Sequence, residues 1–273
     1  MYDYMNANQQ RWDELVSIHA ESEFYDLASL RAGKTSLHSL ELEELGDVAG
    51  KSLLHLQCHF GMDTLSWARL GARVMGADFS PPAIQFAQSL SRELGIEARF
   101  ICSNVYDLPH VLSEQFDIVF TSYGVLGWLP DIPAWARVVA HFLKPGGTFY
   151  IADGHPFKDI FDFDSNATSL QDVRMAYSYF GTQPVQSEVD GTYADRDARV
   201  SHTTTYEWNH TLGEILTSLI AAGLKIEFLH EFPFSTWPCL PGMEQGEDGW
   251  WRLKDRSIEL PLTYSLKATK ETR

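Results

Sequence analysis

The 273-residue chain is poor in basic residues and in cysteine, and it has no long apolar run. It carries 21 Lys and Arg against 37 Asp and Glu, a formal charge of −16. A protein that embraces a polyphosphate backbone needs a basic patch to displace counterions, and no Lys/Arg cluster is present. Nucleic acid and other long polyanions are therefore disfavoured as partners, while neutral or basic small molecules stay open. The three cysteines, Cys58, Cys102 and Cys239, make neither a disulfide framework nor a metal-ligand spacing. Cys58 with His55 and His59 is the one tempting group, but side chains on a strand and its turn alternate in direction and do not converge on an ion. No apolar stretch nears the ~18 residues that span a bilayer, and no basic-plus-apolar leader opens the chain. The expectation is a soluble, cytoplasmic protein with no membrane partner. What the chain does have is 44% apolar and 13% aromatic residues, enough for one large core and for aromatic walls around a pocket.

Glycine is scarce where it would be most expected. Residues 51–80, KSLLHLQCHFGMDTLSWARLGARVMGADFS, read as a buried strand over Ser52–Leu56, a tight turn around Gly61, a helix over 64–70 and a second strand ending in Asp78. The first strand is a continuous apolar run, as in a parallel strand covered on both faces. Gly71 suits a helix C-terminus that needs left-handed φ. Asp78 follows the turn by about twenty residues, where a carboxylate can grip the hydroxyls of a ribose. A dinucleotide needs bare glycine backbone for its pyrophosphate. Gln57 and His59 crowd this turn, which favours an adenosine ligand without a diphosphate.

The segment Leu53-Leu54-His55-Leu56-Gln57-Cys58-His59-Phe60-Gly61 resembles the first motif of the class I S-adenosylmethionine-dependent methyltransferases. His55 stands for the usual acid, Gln57 and His59 replace two glycines, and Gly61 survives. The resemblance continues downstream. Phe79-Ser80-Pro81-Pro82 starts a helix, with Ser as N-cap, that runs to Leu94 and stops at Gly95. A short strand, Arg99–Cys102, leads to Ser103-Asn104-Val105-Tyr106-Asp107, similar to the family's third motif, with Asn104 in the place of the acid that meets the adenine. Its side-chain carbonyl can accept from the adenine amino group. Phe116–Ser122 is a fourth, apolar strand. Leu129-Pro130-Asp131 opens a helix whose Trp135, Val138, Val139 and Phe142 form a stripe, and Leu143-Lys144-Pro145-Gly146-Gly147 precedes a fifth strand over 148–153. Together these matches, spanning 51–153, are far more specific than any one alone.

The resemblance implies a Rossmann-like α/β fold: a seven-stranded, mostly parallel sheet with helices on both faces, an antiparallel last strand and an inserted β-rich lid. It implies S-adenosyl-L-methionine as cofactor, held by Gln57, His59, Gly61, Asp78, Phe79, Asn104, Val105 and Ser122. Residues 1–50 become an N-terminal helical lid in which Trp12, Leu15, Val16 and His19 share a face. Tyr2, Tyr4, Trp12, Phe24 and Arg31 are its candidates for the site, Arg31 for the cofactor carboxylate. Residues 51–273 become the catalytic domain. Its insertion, 154–210, is too long for a plain connection and covers the acceptor site. There a strand over 200–208 is expected to pair with 173–180. A helix over 211–222, opened by a Thr211–Glu214 capping box, and strands over 225–232 and 259–268 complete the chain.

Methyl transfer asks mainly for alignment of an acceptor lone pair with the S–CH3 bond. Ligands sit beyond the carboxyl ends of the strands. His155, just past the fifth strand, is the candidate general base, and Tyr123 a candidate for orienting the acceptor or walling the site. His202, Tyr206 and His210 on the insertion are second-line candidates. The expected function is methyl transfer to a small-molecule acceptor. A protein that only holds the donor or its spent form is the alternative, and a nucleic-acid or protein methyltransferase a more distant one. The atom methylated and the oligomeric state are not legible.

Overall fold

The computed structural model describes residues 2–163 and 167–272. Strands β1 (Ser52–Leu56), β2 (Arg73–Asp78), β3 (Arg99–Cys102), β4 (Phe116–Ser122) and β5 (Leu143–Gly154) alternate with helices α4 (Met62–Arg69), α5 (Pro81–Leu94), α6 (Leu108–Val111) and α7 (Ile132–Phe142). Three helices precede them: α1 (Tyr2–Glu21), α2 (Leu27–Arg31) and α3 (Ser39–Leu45). After β5 come the short strands β6 (Phe161–Asp162), β7 (Arg174–Met175), β8 (Val185–Glu188) and β9 (Thr204–Glu207), then α8 (Leu212–Ala221) and β10 (Leu224–Phe232). A small hairpin of β11 (Met243–Gln245) and β12 (Trp251–Leu253) leads to β13 (Thr263–Lys270). None of the described helices is long and apolar enough to cross a membrane.

Seven strands form one sheet in the order β10-β13-β5-β4-β1-β2-β3, with β13 antiparallel to both neighbours and the rest of the pairs parallel. This is the expected fold class. Strand periodicity splits the apolar runs into two cores. Leu54, Val119, Phe149 and Ile151 face α6, α7 and α8, whereas Leu53, Ile118, Phe120 and Tyr150 face α3 and Trp67 of α4. Each such large side chain contributes about 1.5–3 kcal/mol by leaving water. The chain leaves β1 towards β2 and β3 on one side, and later towards β4 and β5 on the other. The crevice at the carboxyl ends of β1 and β4 is therefore the switch point where a ligand fits.

The helix caps follow the sequence: Ser80 accepts from Ala83 N–H, Asp131 from Ala134 N–H and Thr211 from Glu214 N–H. Several details differ from expectation. α4 begins at Met62, two residues early, because Gly61 takes left-handed φ (81°) and starts the helix itself. Glu214 turns to His210 instead of closing a capping box. β13 starts only after Pro261, which lacks a ladder donor. Within 154–210 the partner of β9 is β8, and residues 174–175 pair with β6. Met175 and Phe180 point into solvent, so burial does not drive the expected pairing of 173–180.

Candidate active site

The turn after β1 keeps the backbone of a glycine turn while carrying side chains. Gln57 and His59 hold φ of 56° and 50°, a region that costs a non-glycine residue roughly 1–2 kcal/mol. The strain is offset by hydrogen bonds. Cys58 N–H donates to the Ala77 carbonyl (3.0 Å), Gly61 N–H to Cys58 O (2.9 Å) and His59 N–H to Asp78 Oδ2 (2.8 Å). Gly61 itself is obligatory: a Cβ there would lie 2.7 Å from the Phe100 ring. Gln57 donates its amide to Val125 O (3.1 Å), while its buried Oε1 has no partner among the described residues.

Asp78 ends β2 at the rim of this turn, and Ser80 N–H donates to its other oxygen (3.0 Å). Burial outweighs these donors and pushes its pKa up to about 6. Each carboxylate oxygen keeps a lone pair for a ligand hydroxyl. On the other side of the turn stands Asp63, which the sequence reading passed over by starting α4 at Thr64. It lies in the first turn of α4 and accepts from Ser36 Oγ (2.6 Å) and Ser122 Oγ (3.0 Å). Burial raises its pKa. Gly61-Met62-Asp63, an acid two residues beyond the glycine of a phosphate-free turn, is the signal that would have found it.

Asp78, Gln57 Oε1 and Asp63 thus offer acceptors only. They suit a ligand with sugar hydroxyls and a cationic end, and repel a diphosphate. Phe79 borders Asp78, its carbonyl taking the Gln9 amide (2.7 Å). Val105 is buried below. Asn104 Oδ1 already receives Tyr106 N–H (3.0 Å), so an adenine amino group would share that oxygen.

The other site expectations fare differently. Tyr123 is held at φ 38° and donates its hydroxyl to Glu41 Oε2 (2.8 Å). Glu41 is fully buried and its pKa is pushed up to about 8, by burial first and by Asp63 second. Tyr123 is thereby turned towards α3. His155 caps a 3-10 turn over Pro156–Ile160. Its Nδ1 accepts from Phe157 N–H (3.0 Å), which puts the proton on Nε2, donated to Glu231 (2.8 Å). Both ring nitrogens are engaged, and burial lowers its pKa. The neighbouring Asp153 carboxylate instead organises the loop after β4, taking N–H groups of Gly124, Val125 and Leu126.

Above the turn lies an aromatic roof. Trp12 meets His59 and Trp128 edge-on, each at 5.3 Å between ring centres. His19 Nδ1 and His59 Nε2 are 3.0 Å apart, and Tyr25 packs on both His19 and Phe60. Tyr25 also hydrogen-bonds Tyr193 of the insertion through their hydroxyls. α1 and the insertion are tied directly. Asn8 pairs with both backbone groups of Tyr206 (2.7 and 2.9 Å), and Arg11 donates to the carbonyls of Val189, Gly191 and His202 (2.7–3.0 Å). Phe24 edges Tyr25, and Tyr4 packs on Tyr206. Arg31 does not reach the site: it pairs with Glu93 on the outside of α5. The Tyr2 side chain lies outside the described residues.

Comparison with known proteins agrees with this fold. Residues 53–147 match the family model of a methyltransferase domain. A ubiquinone biosynthesis O-methyltransferase from Xanthomonas euvesicatoria pv. vesicatoria is 29% identical over 150 residues, 54% of this chain and 62% of that protein. The chain thus spans less than two thirds of that relative. A putative S-adenosylmethionine-dependent methyltransferase from Listeria monocytogenes superposes with a TM-score of 0.61 at 18% identity, covering 89% of this chain and 99% of the other. The DhpI–SAH complex gives 0.57 at 16% identity over the whole of both chains.

Proposed function

We propose that the chain is a class I S-adenosylmethionine-dependent methyltransferase and moves a methyl group from S-adenosylmethionine to a small-molecule acceptor. The observation that carries the reading is the set of acceptor atoms around the turn: Asp78, the unpartnered Gln57 Oε1 and Asp63. Asp78 takes the ribose hydroxyls. Gln57 Oε1 and Asp63 receive the ammonium of the amino-acid tail. Phe79, Asn104 and Val105 flank the adenine, and His59, Gly61 and Ser122 fix the shape of the turn. When bound, S-adenosylmethionine supplies an activated methyl on a sulfonium that leaves without acid help.

The protein's work is then alignment and exclusion of water, and alignment alone can remove ~7–11 kcal/mol of a barrier. Trp12, Tyr25 and Trp128 form the roof, and the cap of α1 and the insertion encloses the acceptor. His155 is a positioning residue for the loop after β5, because its nitrogens already serve Phe157 and Glu231. The name of the Xanthomonas relative favours oxygen as the atom methylated.

Calorimetric titration with S-adenosylmethionine, S-adenosylhomocysteine and NAD tests the donor site. Heat is expected with the first two and none with the third. Incubation with methyl-labelled donor and a low-mass cell extract should then label a small product. No heat with either sulfur compound sinks the proposal. Donor binding with no label in any product makes the chain a holder of the donor only.

A further inference from the structure

Among the described residues of the insertion, Glu207 on β9 carries a carboxylate that no other group engages. On β9, Thr204 Oγ1 donates to Glu188 (2.7 Å) and the Tyr206 ring packs against Tyr4 (4.6 Å between centres). His202 pairs with Glu14 (3.1 Å), and His210 is spent on Leu129 O (2.6 Å) and Glu214 (3.1 Å). Thr205 and Glu207 share the opposite face. Thr205 is 1% exposed, and its hydroxyl has no partner among the described residues. The Glu207 carboxylate has no hydrogen bond or ion pair among the described residues, and water reaches it although protein packs closely around it. It therefore lines a cleft.

Its place is defined by its neighbours. Trp208 N–H donates to Gly127 O (2.8 Å), which sets Glu207 against the loop after β4, whose Val125 carbonyl holds Gln57. The charges facing it are Arg11 from α1 and Lys158 and Asp159 from the turn after β5. Glu207 thus stands where the loops beyond β4 and β5 meet the cap, above the switch-point crevice.

We propose that Glu207 is the general base for methyl transfer to the hydroxyl of an aromatic acceptor, an assignment that rests on the methyltransferase reading above. The acceptor oxygen's lone pair forms the bond to the methyl carbon. The methyl–sulfur bond breaks and leaves its electron pair on sulfur, which becomes a neutral thioether. The hydroxyl proton passes to the Glu207 carboxylate and later to water. The aromatic roof of Trp12 and Trp128 suits a flat acceptor. Burial holds Glu207 above the ordinary carboxylate range, which strengthens it as a base. Activity should fall as pH drops through that raised pKa.

The test compares wild type with Glu207→Gln and Glu207→Asp on a series of simple phenols of graded acidity, reading release of S-adenosylhomocysteine. Donor affinity of E207Q by calorimetry should match wild type. Turnover of E207Q should fall about 10²–10⁴-fold with weakly acidic phenols. It should fall far less with p-nitrophenol, which is partly ionised already, and E207D should recover part of the loss. Without donor, p-nitrophenol bound to wild type should stay protonated to higher pH than when bound to E207Q, read from its colour. A loss equal across the series, no loss, no colour shift, or a collapse of donor affinity in E207Q each overturns the assignment. Donor binding by wild type with transfer to no phenol sinks Glu207 and the hydroxyl acceptor but leaves the donor site standing. Absence of donor binding sinks the methyltransferase reading as well.

Discussion

Replacing Asp78 with alanine separates donor binding from folding, and the structure gives both magnitudes. The carboxylate is 8% exposed and takes the N–H groups of His59 and Ser80 at 2.8 and 3.0 Å. On the proposed reading its remaining lone pairs take the ribose hydroxyls of the donor. A hydrogen bond to a charged group contributes about 1.5–3 kcal/mol, so a pair contributes about 3–6 kcal/mol. At ~1.4 kcal/mol per decade, donor affinity should weaken by about 10²–10⁴-fold. For folding, two effects oppose each other. Asp78→Ala orphans two N–H groups at a cost of about 1–3 kcal/mol each. It also removes a carboxylate whose pKa burial raises from 3.8 to about 6. That difference, 6 − 3.8 = 2.2 units at ~1.36 kcal/mol per unit, is an ionisation penalty of about 3 kcal/mol.

The terms nearly cancel at neutral pH, so the variant should fold. The sign of its pH dependence is fixed. A raised carboxyl pKa lends stability below the unfolded value, and that stability is lost as pH rises through the folded one. D78A should therefore gain on wild type in thermal stability between pH 4 and pH 6. Calorimetry with S-adenosylhomocysteine and melts across that range provide the check. If a folded D78A binds within about threefold of wild type, ~0.7 kcal/mol, the ribose role of Asp78 is refuted.

Glu41→Gln should match wild type in melting temperature near pH 5 and exceed it by several degrees above pH 8, since its folded pKa of about 8 means stability lost as pH rises through that value. A constant difference across pH would show that Glu41 does not titrate there. Arg11→Ala leaves three backbone carbonyls of the insertion without their donor, so proteolysis within 185–210 should speed at least tenfold, ~1.4 kcal/mol of local opening. Unchanged cleavage would mean that α1 and the insertion are not coupled. His155→Ala should lower stability by about 1–3 kcal/mol through the lost cap and Glu231 bond, while donor affinity and the acid limb of the pH–rate profile persist. Disappearance of that limb would restore His155 as the base.

Local rules were enough for most of the frame. Ser80, Asp131 and Thr211 cap the helices they precede, because a cap is a contact within three residues and needs no knowledge of the rest of the chain. The apolar runs of β1 and β4 read as central strands because both of their faces are covered. Reading failed where partners are distant. Arg31 is an attractive anion binder in sequence, yet the packing of α2 beside α5 delivers it to Glu93. His155 titrates near neutrality in isolation, yet β10 brings Glu231 to its ring. The strand expected over 200–208 shortened to β9, because Asn8 of α1 holds Tyr206 on one side and β8 pairs with it on the other.

The sequence by itself determined the order of strands and helices in the large sheet and the carboxylate at the tip of β2, since each depends on residues adjacent in the chain. The tertiary structure alone decided which acids meet. Asp63 faces the turn because Ser36 and Ser122 converge on it from other elements. Among the described residues Glu207 has no partner, although Arg11 of α1 and Lys158 and Asp159 of the turn after β5 lie near it. Burial and charge pairing are sums over neighbours far apart in the chain, and only the folded packing sets which neighbours those are.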